Sequence, residues 1–470
     1  MSSTAEQNNL ELDLGNPANE EQPESRCPFI AFAEICEKIR TTPRKADKSA
    51  IIAAYLSTLR QQDLIIASRW LAGYVFPLRE DRALNVSGLL VLNCLAACAG
   101  VPPSFVRDRL AVIGDVGALA IDLFNGGVSV PLVKDLTLVS VIGIMNQLSA
   151  LSGIKRKSDI IVRTLRKSTA LEAKYLVLII SGDLGIGVHE RDIEDAISVW
   201  QDIEFTRVQS ANMLLGDIGE TALLISTGKI DDARMLLFTP INFMHALPLT
   251  LKDDLTRILP DQFVIEDKFD GLRTQVHIGL AGQGDDSMPG AIFEGLRIVI
   301  YSDQLRDITS DFFDLIPGFA ALLSDQAGTV DAAGVIIDGV IVPIKNGEIM
   351  PFAELRSRLT SQEADGVSGT RISVGFVAFD QLFGDGRSLI QEDWYTRAAN
   401  LDKIRFDMVT TFRARSTMSS HVREIDGALE IALSRGSSGI MLKNPRSCYR
   451  PGRREKDWHK IYGAPVTVWK

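Results

Sequence analysis

The sequence predicts a multidomain protein, an all-α first half followed by an α+β second half with a largely antiparallel sheet. Three observations carry this. From about Cys27 to Gly228, apolar residues recur at spacings of three and four, the period of a helix face. Beyond Thr239-Pro240 the pattern changes to short alternating runs bounded by Gly, Asp and Asn, the period of strands. The chain has 470 residues, 46% hydrophobic and 23% charged, an ordinary globular composition at a length that suits two or three domains.

In chain order, residues 1–26 are rich in Asn, Glu, Ser and Pro and are expected to form a disordered tail. The helical domain is placed at 27–235, with "FAEICEKI" and "IIAAYLSTLRQQDLIIASRWL" as its clearest periodic runs. Thr169 before "ALEAKYLVLII", with Glu172 three residues on, predicts a capping box at a helix start. The most apolar stretch, about 83–101, contains Asn85, Ser87 and Asn93 and runs into Pro102-Pro103; a buried helix suits it better than a membrane span. Cys94 and Cys98, four apart within it, read as a buried helix face rather than a metal pair. Five cysteines in so long a chain give no disulfide framework. "SGDLGIG" (181–187) lacks the GK[ST] ending and the preceding strand of a phosphate loop, so a tight turn between helices is expected. The second domain is placed at 236–470. Its strands are "RTQVHI", "LRIVIY", "GVIIDGVIVPI" and "ISVGFVAF", with the helical run "HVREIDGALEIALSRG" among them.

A net charge of −10 gives no global sign of a nucleic-acid binder. One stretch is locally basic: Lys155, Arg156, Lys157, Arg163, Arg166 and Lys167, with Lys174 beyond them. It reads either as a solvated helix face or as a surface that tracks phosphates. No signal peptide opens the chain, and a soluble cytoplasmic protein is expected.

"FVIEDKFDGLRTQVHI" reads as a β-hairpin turning at Asp270-Gly271. In that register Lys268 pairs with Arg273, and Glu266, Lys268, Arg273 and Gln275 share a face. A neighbouring arginine would favour the neutral amine, the nucleophilic form. The plainer alternative is a surface hairpin with a Glu266–Arg273 ion pair of little consequence.

"EDKFDGLR" matches the K-x-D-G-x-R signature of covalent nucleotidyltransferases, and four further segments follow in that superfamily's order. They are "VIYSDQLRDIT", "GVIIDGVIVPIKNGEIMPFAEL", "FVAFDQLFGDGRSLI" and "SSGIMLKNPRSCYRPGRREKDWHKIY". In the first half, "FAEICEKIRTTPRKADKSAIIAAYLSTL" and "GDIGETALLISTGKIDDARMLLFTPINFM" resemble the DNA-binding domain that precedes catalysis in one class of ATP-dependent DNA ligases. The resemblance covers about 27–470. It implies an N-terminal helical DNA-binding domain, an adenylation (nucleotidyltransferase) domain, and nick sealing in duplex DNA through a lysine–AMP intermediate. By motif position it implies Lys268 as nucleophile, Glu266 on the adenine amino group and Arg273 on the sugar or DNA end. It places Phe379 against the adenine and Lys443 and Lys460 on the α-phosphate, and it makes the basic stretch from Lys155 to Lys167 the DNA contact. Without the resemblance, core is the alternative reading of Phe379, and surface charges beside the cluster Arg446, Arg450, Arg453 and Arg454 that of Lys443 and Lys460. ATP and Mg²⁺ are the implied cofactors, and nicked duplex DNA the implied partner of a monomer with no membrane role.

Four positions depart from the pattern: Val340 and Ser438 stand where the family has glutamates, Asp303 where it has arginine, and Tyr462 where it has a lysine. The two missing carboxylates weaken metal recruitment, with Asp338 and Glu348 as possible replacements, and the OB-fold that continues the family beyond this point is expected to be missing. The alternative reading is a degenerate relic that binds nicked DNA without sealing it.

Overall fold

The computed structural model describes residues 27–77, 80, 82–126, 136–282, 288–323, 334–345, 347–355 and 372–463; the expected tail at 1–26 lies outside them. The chain forms two compact units. The first takes in residues up to Thr41, Leu59–Ala67 and Asn85–Gly185, and the second Thr42–Thr58, Ser68–Leu84 and everything from Ile186. The change of composition at 235/236 falls inside the second unit.

The first unit is helical and is centred on the helix Ala170–Ser181, buried without a break from Glu172 to Ile180. Its start is the predicted capping box: Glu172 N donates to Thr169 Oγ1 (3.3 Å) and Thr169 N donates to Glu172 Oε2 (2.8 Å). Its end is Gly182, in the left-handed region that favours glycine. Gly185 and Gly187 follow at positive φ, and Gly185 N donates to Asp183 Oδ1 at 2.8 Å, so "SGDLGIG" is a turn. Lys174 lies 2.6 Å from Glu37 Oε2, and Tyr175 OH donates to the same oxygen at 3.0 Å. Hydrogen bonds from Arg40, Lys174 and Tyr175 bring the Glu37 carboxyl down to about 2.

The apolar stretch forms the helix Gly88–Ala99, capped by Ser87 and closed by left-handed Gly100. Cys94 and Cys98 turn their thiols to the Ser158 and Val162 carbonyls of the helix Ile154–Leu165, as a buried face would. Among the described residues no single helix is long and apolar enough to cross a membrane.

The second unit carries two sheets. One has the order β1 (His245–Pro248), β13 (Arg454–Tyr462), β12 (Gly439–Lys443), β2 (Phe263–Lys268), β11 (Ser416–Ser419). The other has the order β10 (Thr411–Arg413), β8 (Ser373–Gly384), β6 (Val335–Lys345), β3 (Leu272–Leu280), β5 (Leu296–Ser302), β4 (Ala291–Phe293), with β7 (Glu348–Ile349) on β6 and β9 (Arg387–Ser388) on β8. All pairings are antiparallel except β1 with β13 and β10 with β8.

Alternation gives each sheet one apolar face. In the first sheet Phe263, Ile265, Ile440, Leu442 and Ile461 pack on Ile425, Leu429 and Ala432 of the helix Glu424–Ser434. Glu266, Lys268, Lys443 and Lys460 therefore point to the opposite face. In the second sheet Val276, Ile278, Ile298, Ile300, Ile337 and Ile341 pack on Phe312 and Phe319.

The predicted hairpin is not formed. β2 bonds to β11 and β12, whereas β3 bonds to β5 and β6, so both edges of each strand are taken by other partners. Asp270-Gly271 carries the chain from one sheet to the other. Gly271 is needed there for close approach, since a Cβ would overlap the Ile341 carbonyl oxygen and the Val340 side chain.

Candidate active site

β2 ends in Glu266, Asp267 and Lys268, and alternation sets Glu266 and Lys268 side by side on the face away from the helix. β12 brings Met441 opposite Glu266 and Gly439 opposite Lys268, while β13 brings Trp458, Lys460 and Tyr462 opposite Lys443, Met441 and Gly439. The lysines thus converge through register, although Lys268 and Lys460 lie far apart in the sequence.

Glu266 is 2% exposed and Lys443 1%. Lys443 Nζ lies 2.5 Å from Glu266 Oε1, a charge–charge contact off the angles of a hydrogen bond, and 4.4 Å above the Trp458 ring. Arg413 stands 3.9 Å from Glu266 Oε2. Burial raises the Glu266 carboxyl, and the Lys443 and Arg413 charges oppose it. Glu266 Oε2 is buried and receives no hydrogen bond among the described residues. A buried oxygen left so is costly in the free protein and suits a ligand donor such as an amino group.

Lys268 Nζ donates to Ser438 Oγ at 3.0 Å, makes a longer contact of 3.5 Å to the Phe269 carbonyl and lies 4.6 Å over the Tyr462 ring. Burial lowers the Lys268 amine below the ordinary lysine value; Tyr462 and Asp270 oppose this, and Lys460 adds to it. The expected arginine partner is therefore replaced by burial as the main cause. Lys460 Nζ is 5.5 Å from the centroid of the same Tyr462 ring.

The second sheet supplies Phe379 and Arg273. Pairing between β6 and β8 runs Asp338↔Asp380 and then Gly339↔Ala378, so Phe379 is the extra residue of a β-bulge. Its ring stands 5.2 Å from Lys443 Nζ and 5.3 Å from the Arg273 guanidinium. The next residue, Asp380, is gripped by Arg397 through two hydrogen bonds of 2.7 and 3.0 Å in full burial. Arg273 donates to both Asp338 oxygens (3.2 and 2.7 Å) and to the Met244 carbonyl (2.6 Å), and the Asp338 charge raises its pKa against the effect of burial. Tyr449 OH adds a 2.7 Å hydrogen bond to Asp338. His245 is lowered by burial first and then by the charges of Arg273, Arg454 and Lys460, with Asp338 opposing them.

The structure thus brings Lys268, Glu266, Arg273, Phe379, Lys443 and Lys460 to one place. Of the basic stretch, Lys155, Arg156, Arg163, Arg166 and Lys167 are exposed on or just after the helix Ile154–Leu165. Lys157 is not on that surface: it is buried and donates to the Asn85 carbonyl at 3.2 Å. Lys174 is likewise buried, on Glu37.

The substituted positions divide. Val340 joins an apolar cluster with Val342, Val377 and Ala414, and Asp303 is exposed in a turn. Ser438 and Tyr462 both touch Lys268, a relation no local pattern announces. Asp338 is committed to Arg273 and Tyr449, and Glu348 is exposed on β7. Among the described residues no group of three or more His, Cys, Asp or Glu could hold a metal.

Residues 28–198 match the family described as "DNA ligase N terminus", and residues 244–461 the one described as "ATP dependent DNA ligase domain". A probable DNA ligase of Koribacter versatilis is 32% identical over 453 residues, covering 92% of this chain and 74% of that protein. A DNA ligase of Archaeoglobus fulgidus is 26% identical over 448 residues, covering 94% and 76%. The solved structure "Pmar-Lig_PreS3", 13% identical, shares the fold with a TM-score of 0.50 over 92% of this chain and 78% of its own. The chain belongs to the ATP-dependent DNA ligase family, enzymes that form phosphodiester bonds.

Proposed function

We propose that this protein seals nicks in duplex DNA through AMP carried on Lys268, acting as a cytoplasmic monomer. The observation that carries the reading is a half-buried amine of lowered pKa beside a buried, unsatisfied carboxylate oxygen, an aromatic ring and two further lysines. Lys268 Nζ attacks the α-phosphorus of ATP. The N–P bond forms as the bond to the β-phosphate oxygen breaks, pyrophosphate leaves with the electron pair, and one amine proton passes to water. The AMP then moves to the 5′-phosphate of the nick, and the 3′-hydroxyl displaces it. Glu266 Oε2 receives the adenine amino group, Phe379 stacks on the base, and Lys443 and Lys460 neutralise the α-phosphate. Arg273, released from or shared with Asp338, contacts the sugar or the DNA end. The described carboxylates do not fit a site for Mg²⁺, because Glu266 and Asp338 are already paired and Val340 and Ser438 offer no carboxylate.

The apolar packing of Val340 favours a second reading, a protein that binds nicks without sealing them. Incubation with α-labelled ATP separates the two. The first predicts label on the wild type at Lys268; an unlabelled wild type leaves the second.

Three further results are expected. Phe379→Ala weakens ATP binding by about 1–3 kcal/mol, the range measured for base–aromatic stacking, as read by the KM for labelling. Labelling at saturating ATP rises with pH, because the neutral amine is the nucleophile, and it levels off below the pH at which an ordinary lysine titrates. Alanine at Lys155, Arg156 and Arg163 together lowers the slope of log affinity for nicked DNA against log salt by about 0.9 for each phosphate no longer neutralised, while Lys157→Ala leaves that slope unchanged.

A further inference from the structure

Resting on the lysine–AMP reading, we propose that Ser438 is a positioning residue for the nucleophile: its hydroxyl aims the Lys268 amine at the α-phosphorus. The hydroxyl proton of Ser438 is donated to the Lys268 carbonyl at 3.1 Å. That leaves Oγ as an acceptor towards Lys268 Nζ, which it meets at 3.0 Å. A neutral amine has two N–H bonds and one lone pair. Ser438 Oγ takes one N–H, and the Phe269 carbonyl, at 3.5 Å, lies nearest the other. The Tyr462 ring, 4.6 Å from the nitrogen, closes another side. The lone pair is then left to the remaining direction at the nitrogen, away from these three neighbours.

Ser438 is itself held by backbone. Its N–H donates to the Lys268 carbonyl at 2.7 Å, and its carbonyl accepts from Gly463 N at 3.1 Å. Removing the hydroxyl therefore leaves the pairing of β2 with β12 intact and frees only the amine. Orientation of this kind acts on the attack and not on nucleotide binding, because Ser438 touches the nucleophile. The bonds made and broken are those of lysine adenylation: N–P forms, P–O to the β-phosphate breaks, pyrophosphate takes the electron pair and water takes the proton.

The experiment is single-turnover labelling of the full chain with α-labelled ATP, in the wild type, Ser438→Ala, Ser438→Thr and Lys268→Ala, with thermal unfolding of each. Ser438→Ala is expected to slow labelling at saturating ATP roughly ten- to a hundred-fold, with KM for ATP and Tm close to the wild type. Ser438→Thr, which keeps the hydroxyl, is expected to recover most of the rate. Wild-type rates in Ser438→Ala overturn the inference and leave the lysine–AMP reading standing. So does a rise in KM at unchanged maximal rate, which would make Ser438 a nucleotide contact, or equal loss in the alanine and threonine variants. An unlabelled wild type overturns both.

Discussion

Lys268→Ala is expected to abolish transfer of label from α-labelled ATP to the protein, down to the background of a denatured chain. Neither neighbouring lysine can take over. Lys443 is buried on Glu266, and Lys460 stands on β13 with its amine 5.5 Å from the centroid of the Tyr462 ring. Lys268→Arg is expected to fail as well, because a guanidinium stays protonated at any working pH and has no free lone pair. Both variants should fold. The strand pairing of β2 is made by backbone groups, and the Lys268 side chain contributes one hydrogen bond to a serine and a contact with a ring. Labelling, followed by identification of the modified peptide, is the measurement. Label retained in Lys268→Ala would move the nucleophile elsewhere and refute the assignment.

The largest stability effect is expected at Arg397, a residue that touches no nucleotide in this reading. Its guanidinium is fully buried, clasps both Asp380 oxygens and donates to the Glu392 and Ser447 carbonyls at 2.7 and 2.9 Å. Arg397→Ala leaves Asp380 charged, buried and unpaired, which costs about 3–5 kcal/mol in comparable cases. Urea unfolding of the variant should show the loss directly. Because Asp380 follows the bulged Phe379, the variant should also raise the KM for ATP. Replacing Arg397 and Asp380 together by apolar residues of similar volume should recover much of the stability, since the cost lies in the abandoned charge more than in the absent pair. A loss below about 1 kcal/mol in Arg397→Ala would show that water or a rearranged partner reaches Asp380.

The capping box at Thr169, the buried face of Cys94 and Cys98 and the glycine turn at 182–187 were readable because each depends on residues a few positions apart. Lys268, Glu266 and Phe379 were singled out for another reason, a motif spacing that matches a family; the structure sets Glu266 and Phe379 both beside Lys443. Lys157 and Lys174 were misplaced among exposed cations. Helical spacing does not distinguish a lysine on a solvated face from one that reaches a buried acceptor such as the Asn85 carbonyl or the Glu37 carboxylate.

The sequence by itself determined the helical character of the first half, the strands β2, β3, β5, β6 and β8 of the second and the identity of the lysine to be tested. The tertiary structure alone decided that β2 and β3 part company at Gly271, that Phe379 is thrown forward by a bulge and that Ser438 and Tyr462 surround the amine. The reason is physical. Side-chain alternation states which face of a strand seeks the core. Its edges, however, are rows of backbone N–H and C=O groups that are nearly the same in every residue, so their partners are chosen by the packing of the whole unit.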